Sequence, residues 1–153
     1  MFELCYDNAE VKSWLMARTP DPQRRGFDAN PDYPITCFGY KIDDQIALGL
    51  AFYNYVPWYR GIEVAIALEL PDGNNGALLR GMIKNAMLYP FEKLQCQRVT
   101  AMVPKRADKS RKLVKTIGFQ EEGKIRHGFL IDDCILYGLT KRDAEAKWKY
   151  REG

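Results

Sequence analysis

The sequence predicts an α/β protein of the α+β kind, with one mixed, mostly antiparallel twisted sheet flanked by helices. Three observations carry this reading. Ile46, Leu48, Leu50 and Phe52 alternate with Ala47, Gly49, Ala51 and Tyr53, and Ile62, Val64, Ile66, Leu68 and Leu70 alternate with Glu63, Ala65, Ala67 and Glu69. That period of two is the mark of strands. Leu78, Leu79, Met82, Ile83, Ala86 and Met87, and later Ser110, Leu113, Val114 and Ile117, recur at helical spacing. Finally, the segments follow the order α, β hairpin, β, α, β, α, β hairpin, α, which one sheet covered by helices accommodates. A length of 153 residues fits a single domain spanning 1–153.

The first helix is predicted after Asp7, because Asp7 and Glu10 make a capping-box pattern and Val11, Trp14 and Leu15 form an apolar face. Thr19-Pro20-Asp21-Pro22 ends it, and residues 20–34 read as a loop anchored by Phe27 and Tyr33. Ile35 to Ile42 is strand-like, Asp43-Asp44 a turn, and the alternating run from Ile46 the second arm of a hairpin. Pro57 and Gly61 bracket a loop holding Trp58, Tyr59 and Arg60, ahead of the 62–70 strand. Pro71 to Gly76 is turn-forming and opens a helix that Pro90 stops. Gln97 to Val103 is a strand, and the helix over 110–117 is closed by Gly118. A strand, an Asp132-Asp133 turn and a strand to Leu139 follow, and Thr140 with Asp143 caps a last helix carrying Trp148.

Composition narrows the chemistry. Hydrophobic residues are 46% and charged residues 28%, which describes a packed protein and not a disordered one. The single histidine, His127, excludes a site with two imidazole ligands. Cys5, Cys37, Cys96 and Cys134 have no CxxC spacing and sit among apolar neighbours. They read as buried thiols, not as a metal site, and imply a reducing, cytoplasmic setting. Met1 to Asp7 lacks the apolar run of a leader, and no stretch approaches the ~18 apolar residues of a membrane span. The net charge of +3 argues against a nucleic-acid-coating protein and against a nucleic-acid partner.

Four constellations could carry chemistry. The strand, glycine loop and helix from Ile62 to Tyr89 would offer backbone amides and a helix N-terminus to a pyrophosphate; an ordinary β–α turn explains the same residues. The Glu63, Ala65, Ala67, Glu69 face suggests a shallow groove between two carboxylates. These lie about 20 Å apart along a strand, so at most one is a general base and the other is solvated or ion-paired. Lys105, Arg106, Lys109, Arg111, Lys112 and Lys115 form a basic run that reads as a solvated helix face, as a phosphate clamp or, thirdly, as a nucleic-acid stripe, against which the lack of interleaved aromatics counts. His127, beside Arg126, is either a proton shuttle or a structural hairpin residue.

The segment Thr116-Ile117-Gly118-Phe119-Gln120-Glu121-Glu122-Gly123-Lys124-Ile125-Arg126, followed by Asp132 to Tyr137-Gly138-Leu139, resembles GNAT-superfamily N-acetyltransferases. It is similar to the ribosomal-protein N-terminal acetyltransferases and to small phage-encoded members. The resemblance covers roughly residues 35–148 and implies a GNAT-like domain whose central strands, 62–70 and 97–103, splay apart around acetyl-CoA. It implies that the backbone near Leu68 and Leu70 holds the acetyl and pantetheine part. Gly73, Asn74, Asn75, Gly76, Ala77 and Leu78 would cradle the pyrophosphate, with Lys109, Ser110 and Arg111 on the phosphate side. Glu63 stands where some members place a catalytic glutamate, and Phe27, Tyr33, Trp58 and Tyr59 would line the acceptor side. The activity implied is transfer of acetyl from acetyl-CoA to a primary amine: a protein N-terminus, a lysine or a small amine.

Three positions depart from that pattern. The loop Asp72 to Ala77 is out of register with the family's glycine loop, Ala107 replaces a common Asn, and Val114 stands where many members carry a tyrosine acid. A GNAT-like module that binds CoA without efficient turnover, serving binding or assembly, is therefore the alternative reading. The C-terminal strand and Trp148 offer a surface for a homodimer.

Overall fold

The computed structural model describes residues 2–5, 7–19, 27, 32–69, 76–129 and 132–148. Its strands are β1 (Phe2–Cys5), β2 (Thr36–Ile42), β3 (Gln45–Val56), β4 (Gly61–Leu68), β5 (Arg98–Pro104), β6 (Gln120–Phe129) and β7 (Asp132–Thr140). The helices are α1 (Asn8–Met16), α2 (Gly76–Leu88), α3 (Asp108–Ile117) and α4 (Lys141–Trp148). The strands make one seven-stranded sheet in the order β1-β2-β3-β4-β5-β7-β6. Every pairing is antiparallel except that of β4 with β5. A parallel pair needs a long crossover, and α2 supplies it.

The predicted order holds, with four differences. β1 is an extra edge strand on β2, with Leu4 opposite Tyr40; four residues are too few for alternation to register as a pattern. β3 runs on to Val56 because a bulge between Tyr53 and Val56 absorbs the irregularity at Asn54. Pro90 does not stop the chain's helical winding: α2 passes into a single wide π turn at Tyr89–Lys93, with the proline near its start, where no amide is required. Asp132 and Asp133 do not form the last turn but open β7, with Asp132 paired to Phe129.

Local signals explain the ends of the helices. The Glu10 amide donates to Asp7 Oδ1 at 3.0 Å, so the cap read from the sequence is formed. Gly118 sits at φ 122°, and its amide donates to the Val114 and Lys115 carbonyls, closing α3. The Asp143 amide donates to Thr140 Oγ1 at 3.1 Å at the start of α4.

The sheet buries both faces. On one, Leu48, Leu50, Ile62, Val64, Val99 and Tyr137 pack with Met82, Met87, Val114 and Ala144 of α2, α3 and α4. On the other, Ala51, Tyr53 and Ala65 pack with Val11 and Leu15 of α1 and with Phe27. Alternation along β4 thus sends even-numbered residues to one core and odd-numbered residues to the other, which places Glu63 on the α1 face. All four cysteines are buried and unpaired, as their apolar surroundings suggested. Among the described residues no helix is long and apolar enough to cross a membrane.

Replacing Asp7 with Ala removes one satisfied helix donor and should cost about 1 kcal/mol. Urea unfolding should show a lower midpoint with an unchanged slope.

Candidate active site

The site begins where the parallel ladder stops. β4 and β5 pair only at Gly61↔Arg98, Ile62↔Val99 and Glu63↔Thr100, after which they part. Each strand remains held on its far side, β4 by β3 out to Leu68 and β5 by β7 out to Pro104. The parting leaves a wedge between them.

Hydrogen-bond phase determines what faces this wedge. The Glu69 amide donates to the Ala47 carbonyl at 2.7 Å, so residues 69, 67 and 65 are bonded to β3. In an antiparallel pair the alternate residues turn their backbone groups the other way. Val64, Ile66 and Leu68 therefore turn their backbone groups toward β5; the Val64 amide belongs to the last rung, at Thr100, and the Val64 carbonyl with the amides and carbonyls of Ile66 and Leu68 faces the wedge. On β5, the Lys105 amide donates to Asp133 and Lys141 donates to Gln97, so Met102 and Pro104 are the residues turned toward β4. Proline has no amide, so at Pro104 β5 offers only a carbonyl, whereas Met102 offers both a donor and an acceptor.

The cleft so formed is lined by Val64 to Ile66, Ala101 to Pro104, and Ser110, Leu113 and Val114 of α3, with Arg18 and Thr19 at its rim. It is narrow, about 50 Å³ in volume. Such a space admits a thin chain, not a ring. Val114 is buried within it and brings no ionisable group. Ser110, one turn earlier on α3, brings a hydroxyl.

Glu63 occupies the vertex, beside Thr100 and at the last paired position of β4. It is partly buried, and Asn54 Nδ2 donates to its Oε2 at 2.5 Å. Burial pushes its carboxyl above the ordinary range, while hydrogen bonds from Asn54 and Tyr53 pull it part of the way back. A carboxylate raised in this way is a better proton acceptor than a solvated one. Glu69 contrasts with it. It is exposed, receives two hydrogen bonds from Arg18 at 2.8 and 3.0 Å, and has its carboxyl lowered by that guanidinium. The ion-paired reading of Glu69 is correct, and the two glutamates of β4 differ in chemistry.

The remaining predicted residues fall in several places. Ser110 lies on the cleft and Leu68 at the end of the exposed edge of β4. Gly76, Ala77 and Leu78 form the first turn of α2. Leu70, Gly73, Asn74 and Asn75 lie outside the described residues. Lys109 is exposed and off the cleft lining. Arg111 points away from the cleft: its Nε donates to Tyr137 Oη at 3.0 Å, and Nη2 lies 3.5 Å from Glu121. Of the basic run, Lys105, Arg106 and Arg111 line a separate, more open hollow together with Asp108, His127, Asp132 and Asp133.

On the acceptor side, Phe27 is buried against Tyr53, ring centroids 5.0 Å apart, and Tyr33 stacks edge-on to Tyr55 at 5.1 Å. Trp58 and Tyr59, 84% and 62% exposed, stand instead at the β3–β4 turn, beyond the paired end of β4. The groove expected over Ala65 and Ala67 is not open: α1 fills it, and a Cβ on Gly49 would lie 3.0 Å from the Trp14 ring. His127 is exposed at φ 53° in a β6 irregularity, and its amide donates to Asp133, a structural role. Sequence reasoning missed Asn54 and Thr100, which meet Glu63 only through cross-strand register.

Burial pushes the Cys37 thiol up to about 12 and that of Cys96 up to about 11, against weaker pulls from Lys12 and Lys141. Cys134 is raised as well, chiefly by burial. Among the described residues no group of His, Cys, Asp and Glu side chains could hold a metal ion.

The raised Glu63 carboxyl has a consequence for stability. Its folded-state pKa lies above its unfolded value, so the folded state holds the proton more tightly. Stability is then lost as pH rises through that window and stays lower above it. Glu63→Gln should therefore raise the melting temperature at pH 7 relative to the native chain, with the gain disappearing below about pH 4, in calorimetric scans across pH.

No protein-family model matches the chain. The Bacillus subtilis protein named "Putative ribosomal N-acetyltransferase YdaF" is 32% identical over 113 residues, which is 71% of this chain and 61% of that protein. The chain thus spans about three fifths of that relative's length. A spermidine N-acetyltransferase SpeG variant from Vibrio cholerae superposes with a TM-score of 0.71 at 15% identity, over 95% of this chain and 97% of the other. The ribosomal-protein-S5-alanine acetyltransferase from Vibrio fischeri superposes at 0.69 and 14% identity, over 93% and 94%. With its parallel strands parting at Glu63 and these proteins as its structural neighbours, the chain has the GNAT fold and is similar in sequence to a protein named as a putative ribosomal N-acetyltransferase.

Proposed function

We propose that the chain is an N-acetyltransferase that moves acetyl from acetyl-CoA to a primary amine. The observation that carries this is the wedge between β4 and β5, whose β4 edge offers the Val64 carbonyl and the backbone groups of Ile66 and Leu68. Those groups suit an amide-bearing arm laid alongside like a missing strand. The narrow cleft suits the slender pantetheine part, and the start of α2 at Gly76 suits the pyrophosphate. Acetyl-CoA would supply the activated acyl group.

The chain's own residues do the rest. Backbone amides of β4 polarise an acyl carbonyl held at the vertex. Glu63 accepts a proton from the incoming ammonium, since only a neutral amine attacks. An α-amine with pKa near 8 is about one-tenth neutral at pH 7, whereas a lysine is neutral well under 1% of the time. The base thus matters most for lysine-like and small aliphatic amines. The proton that the departing thiolate needs has no ionisable donor at Val114, so it comes through Ser110 or water.

The buried Val114 also favours a second reading, a module that holds CoA and turns over slowly or not at all. One experiment separates the two. Acetyl-CoA at about 100 times its Kd should stabilise the protein by about 2.7 kcal/mol, read as a rise in melting temperature. Ser110→Trp, which plugs the cleft from the helix side, should abolish that rise while leaving the circular dichroism unchanged. Thiol release with a panel of N-terminal peptides, lysine peptides and polyamines should show turnover. Glu63→Gln should lower kcat/KM by about 10²–10⁴. Stabilisation without thiol release on any amine would select the binding module. Neither stabilisation nor release would end both readings.

A further inference from the structure

Asn54 stands apart from the rest of β3. It has φ 55°, a left-handed backbone that Asn and Gly tolerate best, and it lies inside the bulge between Tyr53 and Val56. Bulges re-aim side chains. A regular strand would send residue 54 to the face opposite that of Tyr53 and Glu63. The bulge instead brings the Asn54 amide over the Glu63 carboxylate, where Nδ2 donates to Oε2. Residues in rarely used backbone conformations gather where a site must be held in one geometry.

Resting on the reading of Glu63 as the general base, we propose that Asn54 is its positioning residue, holding the carboxylate at the vertex where β4 and β5 part and keeping it in its charged form. An amide fits this task better than a cation or a hydroxyl. It donates to the carboxylate without neutralising it, as Arg18 does to Glu69, so Glu63 keeps its basicity. The ionisable groups that act on Glu63 are Tyr53 on β3 and Cys134 on β7; Thr100 on β5 is its uncharged neighbour, and Arg98, two residues before it, is engaged with Thr100 Oγ1 at 3.1 Å and Glu122 at 2.7 Å. With no cation among the groups that act on Glu63, hydrogen bonding is what favours the ionised form, and Asn54 is its larger source.

The test combines the titration of the carboxyl with the pH dependence of turnover. Asn54→Gly keeps the left-handed backbone and deletes only the amide. A hydrogen bond to a charged group corresponds to roughly one to two pH units of titration. The ¹³C carboxyl titration of Glu63 should therefore move up by about that amount, and the acid limb of kcat/KM should move with it. Asn54→Asp, which replaces the donor with a like charge, should move both further. Asn54→Gly with the titration and the acid limb both in their native places, while Glu63→Gln is inactive, overturns the proposal and leaves the base reading intact. A shifted titration with full activity in Glu63→Gln overturns the base reading instead and reduces Asn54 to a structural bond. If Asn54→Gly fails to fold, the side-chain ¹⁵N resonance of Asn54 in the native protein should titrate with the Glu63 midpoint. A resonance flat across that range overturns the proposal.

Discussion

The structure depends on one short parallel ladder. Three residue pairs, from Gly61↔Arg98 to Glu63↔Thr100, join an antiparallel half made of β1 to β4 to another made of β5, β7 and β6. Each half is internally complete, so neither needs more of the other. β4 has β3 along its length and β5 has β7. Their free edges diverge beside the narrow cleft that Ser110, Leu113 and Val114 of α3 also line. A longer ladder would close the cleft, and a shorter one would leave the halves joined only by the crossover helix.

Much of the fold was legible because its signals are local. The cap at Asp7, the period-two runs of β3 and β4, the helical spacing of α2 and α3 and the stop at Gly118 each depend on residues within one turn or one strand. The chain departs from expectation where the signal is short or tertiary. β1 is four residues long, and its pairing with β2 stabilises it more than its composition does. The bulge at Asn54 interrupts no hydrophobic pattern. Trp14 covers Gly49 because a helix from elsewhere in the sequence lands there, which no reading of β4 alone could foresee.

The site was legible in kind and less so in membership. Glu63 was singled out by its strand, and the structure sets it, partly buried and hydrogen-bonded by Asn54, where β4 and β5 part. Ser110 meets the cleft by helical spacing from Leu113 and Val114. Arg111 was drawn into the site by charge alone, and a cation three positions from a cleft residue need not face the cleft: it is engaged with Tyr137 and Glu121. Trp58 and Tyr59 were drawn in by aromaticity, yet a hairpin turn carries them past the vertex. Asn54 and Thr100 were invisible because their significance is a matter of register.

The buried cysteines gain meaning from the same cleft. Cys134 lies opposite Pro104, on the strand that backs the wedge, and Cys37 lies in the core over the α1 face. A thioester is attacked by thiolates, not by thiols. Burial pushes the Cys37 thiol up to about 12, so it stays in the thiol form near neutral pH. Desolvation thus lets sulfur fill the core in its unreactive thiol form.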